Sequence, residues 1–178
     1  MNAADDGAAV PRRPSPIVPV LVTATWVFQL GLATANPDPF NPVSFVDYLA
    51  VLTFSAALAA FAPAAWLIAR LATARTRWLF LASSVTAGGA LVAAIGNIVE
   101  DGFGISEAGG LIFVSGLGGL LLGLIALTIV LAARRELQLA GLTVASLVGL
   151  FSSANGGGTI VAVAWLGVSI WSFRGPRG

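Results

Sequence analysis

The sequence contains no cysteine, no histidine and no lysine, and only 10% of its 178 residues are charged. Without cysteine, the chain has no disulfide, no thiolate metal site and no iron–sulfur cluster. Without histidine, it lacks the commonest general base and the commonest metal ligand of proteins. Any bound metal would be a hard cation held by oxygen atoms. We therefore predict no resident metal, no cofactor and no enzymatic activity.

The chain is instead rich in apolar residues, which make up 57% of it and give a mean hydropathy of +0.93. A soluble domain carries about 25% charged residues, far more than this chain does. The net charge of +1 provides no basic face for nucleic acid. These properties predict an integral protein of the cell membrane whose main partner is the lipid bilayer.

Six apolar runs follow one another along the chain. They cover approximately residues 17–35, 45–69, 78–99, 109–133, 137–153 and 157–173. A bilayer core needs about 20 helical residues, and the first four runs meet that length. The last two are shorter, but as one helix they would be about 55 Å long, and the glycine-rich segment SSANGGG at 152–158 separates them. The pattern predicts an all-α bundle of six transmembrane helices with short loops over residues 16–174, after a disordered cytoplasmic tail at 1–15.

The distribution of arginine predicts the orientation of the bundle. The nine basic residues are Arg12, Arg13, Arg70, Arg75, Arg77, Arg134, Arg135, Arg174 and Arg177. In a six-span arrangement all of them lie in the N-terminal tail, the second and fourth loops or the C-terminal segment. These four segments share one side of the membrane, so the positive-inside rule predicts a multi-pass protein with both termini in the cytoplasm.

A secretory signal is the alternative interpretation of residues 1–35. The arginine pair at 12–13, the apolar stretch and the ATA sequence at 33–35 resemble a signal peptide with its cleavage site. Trp26 and Gln29 interrupt the apolar stretch, which is also long for such a signal. We therefore favour an uncleaved first span.

Three of the eight acidic residues are concentrated in GNIVEDGFGISEAGG at 96–110. Glu107 begins the fourth run, where the positive end of the helix dipole favours a carboxylate. Glu100 and Asp101 end the third run, where the dipole opposes them, and Asn97 shares their face if the helix persists. Two interpretations are open: a solvated acidic rim, or a site for a cation, a proton or a basic partner. The candidate site comprises Asn97, Glu100, Asp101 and Glu107.

Polar and aromatic residues within the spans are further candidates. Gln29 is the one side-chain amide well inside a span, where such groups mark a transport pathway or an interhelical hydrogen bond. We favour the hydrogen bond. Trp26 and Trp165 lie in the middle of their spans, where they line a cavity for an apolar ligand or pack against neighbouring helices.

Small residues and one proline predict how the helices pack. Ser115, Gly119 and Gly123 form a stripe with GxxxG spacing, which lets two helix backbones approach closely. We favour packing within the bundle over dimerisation. Pro63 removes the amide that would bond to Ala59, so we expect a kink in the second span.

The sequence leaves two main classes of function open, because the absence of histidine, cysteine and lysine disfavours a third, an intramembrane enzyme. We favour a non-enzymatic membrane protein that acts as a membrane subunit, an assembly factor or a binder of lipid or an apolar ligand. Other membrane proteins or a second copy of the chain are further possible partners. The alternative is a cation- or proton-linked transporter or channel that uses Glu100 and Asp101.

Overall fold

The computed structural model describes residues 15–35, 37–38, 42–73, 75–153 and 157–173. Nearly all of the predicted tail at 1–15 lies outside these ranges. The described residues form helices and no strands. The helices are α1 (Ile17–Ala33), α2 (Phe45–Ala59), α3 (Phe61–Leu71), α4 (Arg77–Asn97), α5 (Ser106–Ala133), α6 (Leu137–Phe151) and α7 (Gly158–Phe173). A single π-helical turn, Ile98–Gly102, continues α4.

Three helical segments are long and apolar enough to cross a membrane. They are Phe45–Leu71, Arg77–Gly102 and Ser106–Ala133, with 27, 26 and 28 residues. α5 leaves large side chains such as Leu111 and Leu122 exposed at 73% and 66%. An apolar surface of this kind is a liability in water but suits the lipid chains of a bilayer. The described chain is therefore a helical protein with the character of a membrane protein.

The helices form a closed ring in chain order. The interrupted pair α2–α3 packs between α1 and α4, and α4 packs against α5. α5 then contacts α6, α6 contacts α7, and α7 returns to α1. Short connections favour this arrangement, because consecutive helices that are joined closely become antiparallel neighbours.

The interruption between α2 and α3 falls at Ala60, three residues before Pro63. Proline lacks the amide hydrogen that would bond the carbonyl of Ala59, and its ring crowds that carbonyl. The helical path resumes at once, since the Ala64 amide bonds the Ala60 carbonyl at 3.3 Å. The kink that the sequence predicts at Pro63 therefore lies within one helical turn of the observed interruption.

α4 and α5 make the closest helix contact of the described chain. Gly109, Gly116 and Gly123 follow one another at intervals of seven residues along α5. A Cβ atom on any of them would lie less than 3 Å from backbone atoms of the preceding helical segment. The stripe predicted from the sequence, Ser115, Gly119 and Gly123, follows a different line along α5. Its members are four residues apart and therefore move gradually around the helix, whereas a spacing of seven residues returns to nearly the same face. Gly119 lies beside Gly89, whereas Ser115 is exposed and does not join the contact.

The α3–α4 and α5–α6 connections meet at one end of the bundle. The Glu136 carboxylate accepts a 2.8 Å hydrogen bond from the backbone amide of Thr73 and a second bond from the Thr73 hydroxyl. The described arginines all lie in or beside these two connections. We call this the arginine end. The opposite end carries the acidic turn, as the antiparallel pairing of α4 with α5 requires.

The loop before α2, at the end opposite the arginine end, is organised by a carboxylate. Ser44 and Asp47 form a capping box, in which each side chain bonds the other residue's backbone amide. The Asp47 carboxylate also accepts the amides of Asp38 at 2.9 Å and Val43 at 3.2 Å. This acidic residue therefore stabilises local structure and is not a free ligand.

Candidate functional site

A cavity of about 540 Å³ lies at the end of the bundle opposite the arginine end. Helices α1, α2, α4 and α5 line it together with the start of α7. Its apolar walls include Trp26, Leu30, Phe54, Phe113 and Val114. Its polar lining residues include Gln29, Asn97, Glu100 and Asp101. We call this space the outer cavity. It is lined by members of two groups that the sequence suggested separately: Trp26 and Gln29 within the spans, and Asn97, Glu100 and Asp101 of the acidic segment.

The two carboxylates of the outer cavity lie on the π-helical turn Ile98–Gly102. In that turn the Phe103 amide bonds the Ile98 carbonyl, five residues earlier, at 3.1 Å. The wider turn replaces the regular α-helix that would have aligned Asn97 with the acids, and single π turns of this kind are frequent at functional sites. Glu100 and Asp101 are partly buried there.

Glu100 lies against the first turns of α5. A Cβ atom on Gly109 would fall 2.4 Å from the Glu100 backbone nitrogen, so the two backbones touch. A Cβ atom on Gly110 would lie 3.1 Å from Glu100 Oε1. The carboxylate is therefore close to the positive N-terminal end of α5, which offsets the unfavourable dipole of its own helix. Sequence reasoning missed this tertiary contact, because it considered each helix dipole alone.

Asn97 is buried and joins α4 to α2. Its side-chain amide donates to the Ser55 hydroxyl at 3.0 Å and to the Val51 carbonyl at 3.4 Å. Ser55 in turn donates to the same Val51 carbonyl at 2.9 Å. Asn97 thus fixes the wall of the outer cavity immediately before the acidic turn.

Gln29 joins α1 to α2 on the other side of the cavity. The Thr53 hydroxyl lies 2.6 Å from Gln29 Oε1 and within reach of the Leu49 and Ala50 carbonyls. This is the interhelical hydrogen bond that the sequence favoured for a lone amide within a span. The amide also lines the outer cavity, so one residue contributes to both packing and lining.

Trp26 supplies the wall between these polar groups. Only 1% of its surface is exposed, and its ring meets Phe54 and Phe61 edge-on, at centroid distances of 6.3 and 6.2 Å. Gly158 lies so close that a Cβ atom there would sit 2.8 Å from the indole ring. The indole N–H has no hydrogen-bond partner within the described chain. A buried donor without an acceptor costs about 1–3 kcal/mol, so this wall of the cavity carries an unsatisfied polar group.

The remaining sequence candidates lie elsewhere. Glu107 is exposed at the start of α5 and does not line the outer cavity. Trp165 of α7 is buried, and its indole N–H donates to the Ser146 hydroxyl of α6 at 3.1 Å. It lines a second cavity near the arginine end.

Phe54, Phe113 and Gly158 are lining residues that sequence reasoning did not identify. No local pattern distinguishes Phe54 or Phe113 from other aromatic residues of an apolar run. The packing of Gly158 against Trp26 depends on the closure of α7 onto α1, which links residues more than a hundred positions apart. Local periodicity carries no information about such a contact.

The charged side chains that line the outer cavity all carry the same sign of charge. Its charged lining residues are both carboxylates, and no described arginine lines it. Among the described residues, no group of three acidic side chains is placed to hold a metal ion. The lining charges therefore attract a cation and repel an anion.

No protein-family model matches the chain, and no curated protein or solved structure is detectably similar to it.

Proposed function

We propose that the chain is a six-span membrane protein with both termini in the cytoplasm. The arginine end supports this orientation, because basic residues are enriched on the cytoplasmic side of membrane proteins. α2–α3, α4 with its π turn, and α5 provide three spans. α1, α6 and α7 provide the others, at 17, 15 and 16 residues.

The shorter helices are compatible with this arrangement. A helix of 15–17 residues is about 23–26 Å long, slightly less than a typical hydrocarbon core of about 30 Å. Such a mismatch is accommodated by modest thinning of the bilayer at a small free-energy cost. Each short helix also packs on a neighbour at both sides of the ring, which supports a spanning position for all three.

We further propose that the outer cavity binds a small amphipathic cation. The observation that carries this proposal is the combination of apolar walls and two partly buried carboxylates in one cavity. The carboxylates attract a positively charged head group, and the aromatic rings of Trp26 and Phe54 favour the same charge. The apolar walls accept a hydrocarbon body.

A binding role fits the chemistry better than catalysis. Glu100 and Asp101 are adjacent on one turn, so their side chains diverge and do not flank a substrate bond as paired catalytic carboxylates do. The sequence also has no histidine, cysteine or lysine to act as a base or nucleophile. The interpretations as a membrane subunit, an assembly factor, or a cation- or proton-linked transporter or channel remain predictions.

Three matched probes test the proposal on the full chain in a nonionic detergent. Hexyltrimethylammonium carries both charge and hydrocarbon, hexanesulfonate reverses the charge, and tetramethylammonium removes the chain. We expect only the first to raise the thermal unfolding temperature, since a ligand that binds the folded form alone stabilises it. Equal effects of the first two probes would exclude a role for the carboxylates.

A further inference from the structure

A second cavity, of about 700 Å³, opens at the arginine end between α3, α6 and α7. We call it the inner cavity. Its walls are largely apolar and include Leu67, Leu71, Leu142, Ala164 and Trp171. Trp171 is 56% exposed, as is common for tryptophan at the boundary between lipid chains and head groups. The inner cavity thus joins an apolar cleft to an interfacial rim.

Arg135 lines this cavity and is exposed. It has a backbone φ of +61°, the one positive φ among the described residues other than glycine. The turn is a Schellman motif, in which the Glu136 amide bonds the Leu131 carbonyl at 2.9 Å and the Arg135 amide bonds the Ala132 carbonyl at 2.9 Å. Glycine usually occupies this position without strain, but glycine would remove the cation from the cavity.

The other charged lining residue is Glu136. Its carboxylate oxygen accepts both the amide and the hydroxyl of Thr73, in the α3–α4 connection. These hydrogen bonds hold the negative charge toward that connection. Arg135 is therefore the charged group that is available to a molecule in the inner cavity.

We propose that the inner cavity binds one anionic phospholipid of the cytoplasmic leaflet. The lipid phosphate lies at Arg135, and one acyl chain occupies the cleft between α3, α6 and α7. Charge complementarity selects this occupant, since basic groups between helices on the cytoplasmic side attract anionic head groups. The apolar walls select a lipid over a free phosphate, which would leave the cleft empty.

The binding test uses the purified full chain in nonionic detergent, with phosphatidylglycerol and phosphatidylcholine of identical acyl chains. Thermal unfolding and native mass spectrometry report stabilisation and retained lipid. We expect phosphatidylglycerol to stabilise the protein and to be retained more strongly. Equal effects of the two lipids would overturn the proposal, as would equal stabilisation by glycerol phosphate, which has no acyl chain.

Matched variants locate the site. Arg135→Gln should weaken phosphatidylglycerol binding about fivefold, whereas Arg134→Gln, one residue away and outside the cavity lining, should not. Arg135→Gly controls for a folding defect, because glycine favours the positive φ and should make the lipid-free protein more stable. It should nevertheless weaken phosphatidylglycerol binding as much as Arg135→Gln does. Equal losses for the Arg134 and Arg135 variants would indicate diffuse surface attraction and overturn the proposal.

Filling the cavity tests the position of the acyl chain. Gly141 lines the inner cavity, and a Cβ atom there would meet nothing within 4 Å. Gly141→Leu should therefore reduce lipid retention without disturbing the fold. Gly118 has the same free space but lies outside the cavity, so Gly118→Leu is the control. Unchanged retention in Gly141→Leu would contradict a chain in the cleft.

This inference uses the proposed orientation but not the ligand of the outer cavity. Loss of the organic-cation effect would leave the lipid preference intact, and loss of the lipid preference would leave the organic-cation effect intact. The two proposals are therefore tested separately.

Discussion

Gly116 of α5 lies directly against Ala93 of α4: a Cβ atom on Gly116 would fall 2.1 Å from the Ala93 backbone nitrogen. Backbone atoms cannot move aside as a flexible side chain does. Even a single methyl group at position 116 must therefore push the two helices apart.

We predict that Gly116→Ala lowers the free energy of unfolding by about 1–3 kcal/mol, the usual range for overpacking. Gly118→Ala is the control, because a Cβ atom there meets nothing within 4 Å and alanine favours the helix by about 1 kcal/mol over glycine. Thermal unfolding in detergent measures both. Equal destabilisation by the two changes would contradict the α4–α5 contact.

Asn97 supports a second prediction, about the wall of the outer cavity. Asn97→Ala should destabilise the protein by about 1 kcal/mol, because it removes a buried interhelical hydrogen bond and leaves the Val51 carbonyl with one donor fewer. A double-mutant cycle with Ser55→Ala should give a coupling energy of about 0.6 kcal/mol. Additive effects of the two changes would show that the Asn97–Ser55 bond contributes nothing.

The orientation is tested with reporter fusions in cells. Fusions after Arg75 and Arg135 should report the cytoplasm, and a fusion near Gly104 should report the opposite side. A C-terminal fusion at Gly178 should also report the cytoplasm. An outside signal there would contradict the six-span arrangement, and an N-terminal tag missing from the mature protein would indicate a cleaved signal.

The positions of the helices follow closely from local sequence. The run at 137–153 corresponds to Leu137–Phe151, and the run at 157–173 corresponds to Gly158–Phe173. Apolar length and glycine-rich breaks determine these limits, and both are visible one segment at a time. The interruption near Pro63 follows from a single missing amide and is equally local.

The outer cavity did not follow from local sequence, because it depends on contacts between distant helices. Trp26 and Glu100 are each identifiable as candidates from local patterns, but nothing in those patterns brings α1 beside the end of α4. The environment of Glu100 depends on the N-terminus of α5, which a reading of one helix at a time does not include. The same limitation explains why the sequence predicts Ser115, and not Gly116, in the helix contact.

Inorganic cations provide a further test, because the transport alternative assigns them to Glu100 and Asp101. Calcium prefers six to eight oxygen ligands, and two adjacent carboxylates supply few of them. We therefore expect calcium and magnesium to change thermal stability no more than sodium at equal ionic strength. A specific gain with calcium or magnesium, lost in Glu100→Gln with Asp101→Asn, would favour the transport alternative.

The most direct test of the proposed function combines that double variant with the hexyltrimethylammonium probe. The control is Glu107→Gln, which removes an exposed acidic charge nearby but leaves the cavity lining unchanged. At one hundred times its dissociation constant, a specific ligand stabilises the folded form by about 2.7 kcal/mol. We predict this gain for the wild type and for Glu107→Gln, and its loss in Glu100→Gln with Asp101→Asn. Equal gains in all three proteins would contradict recognition of the cation by the acidic turn.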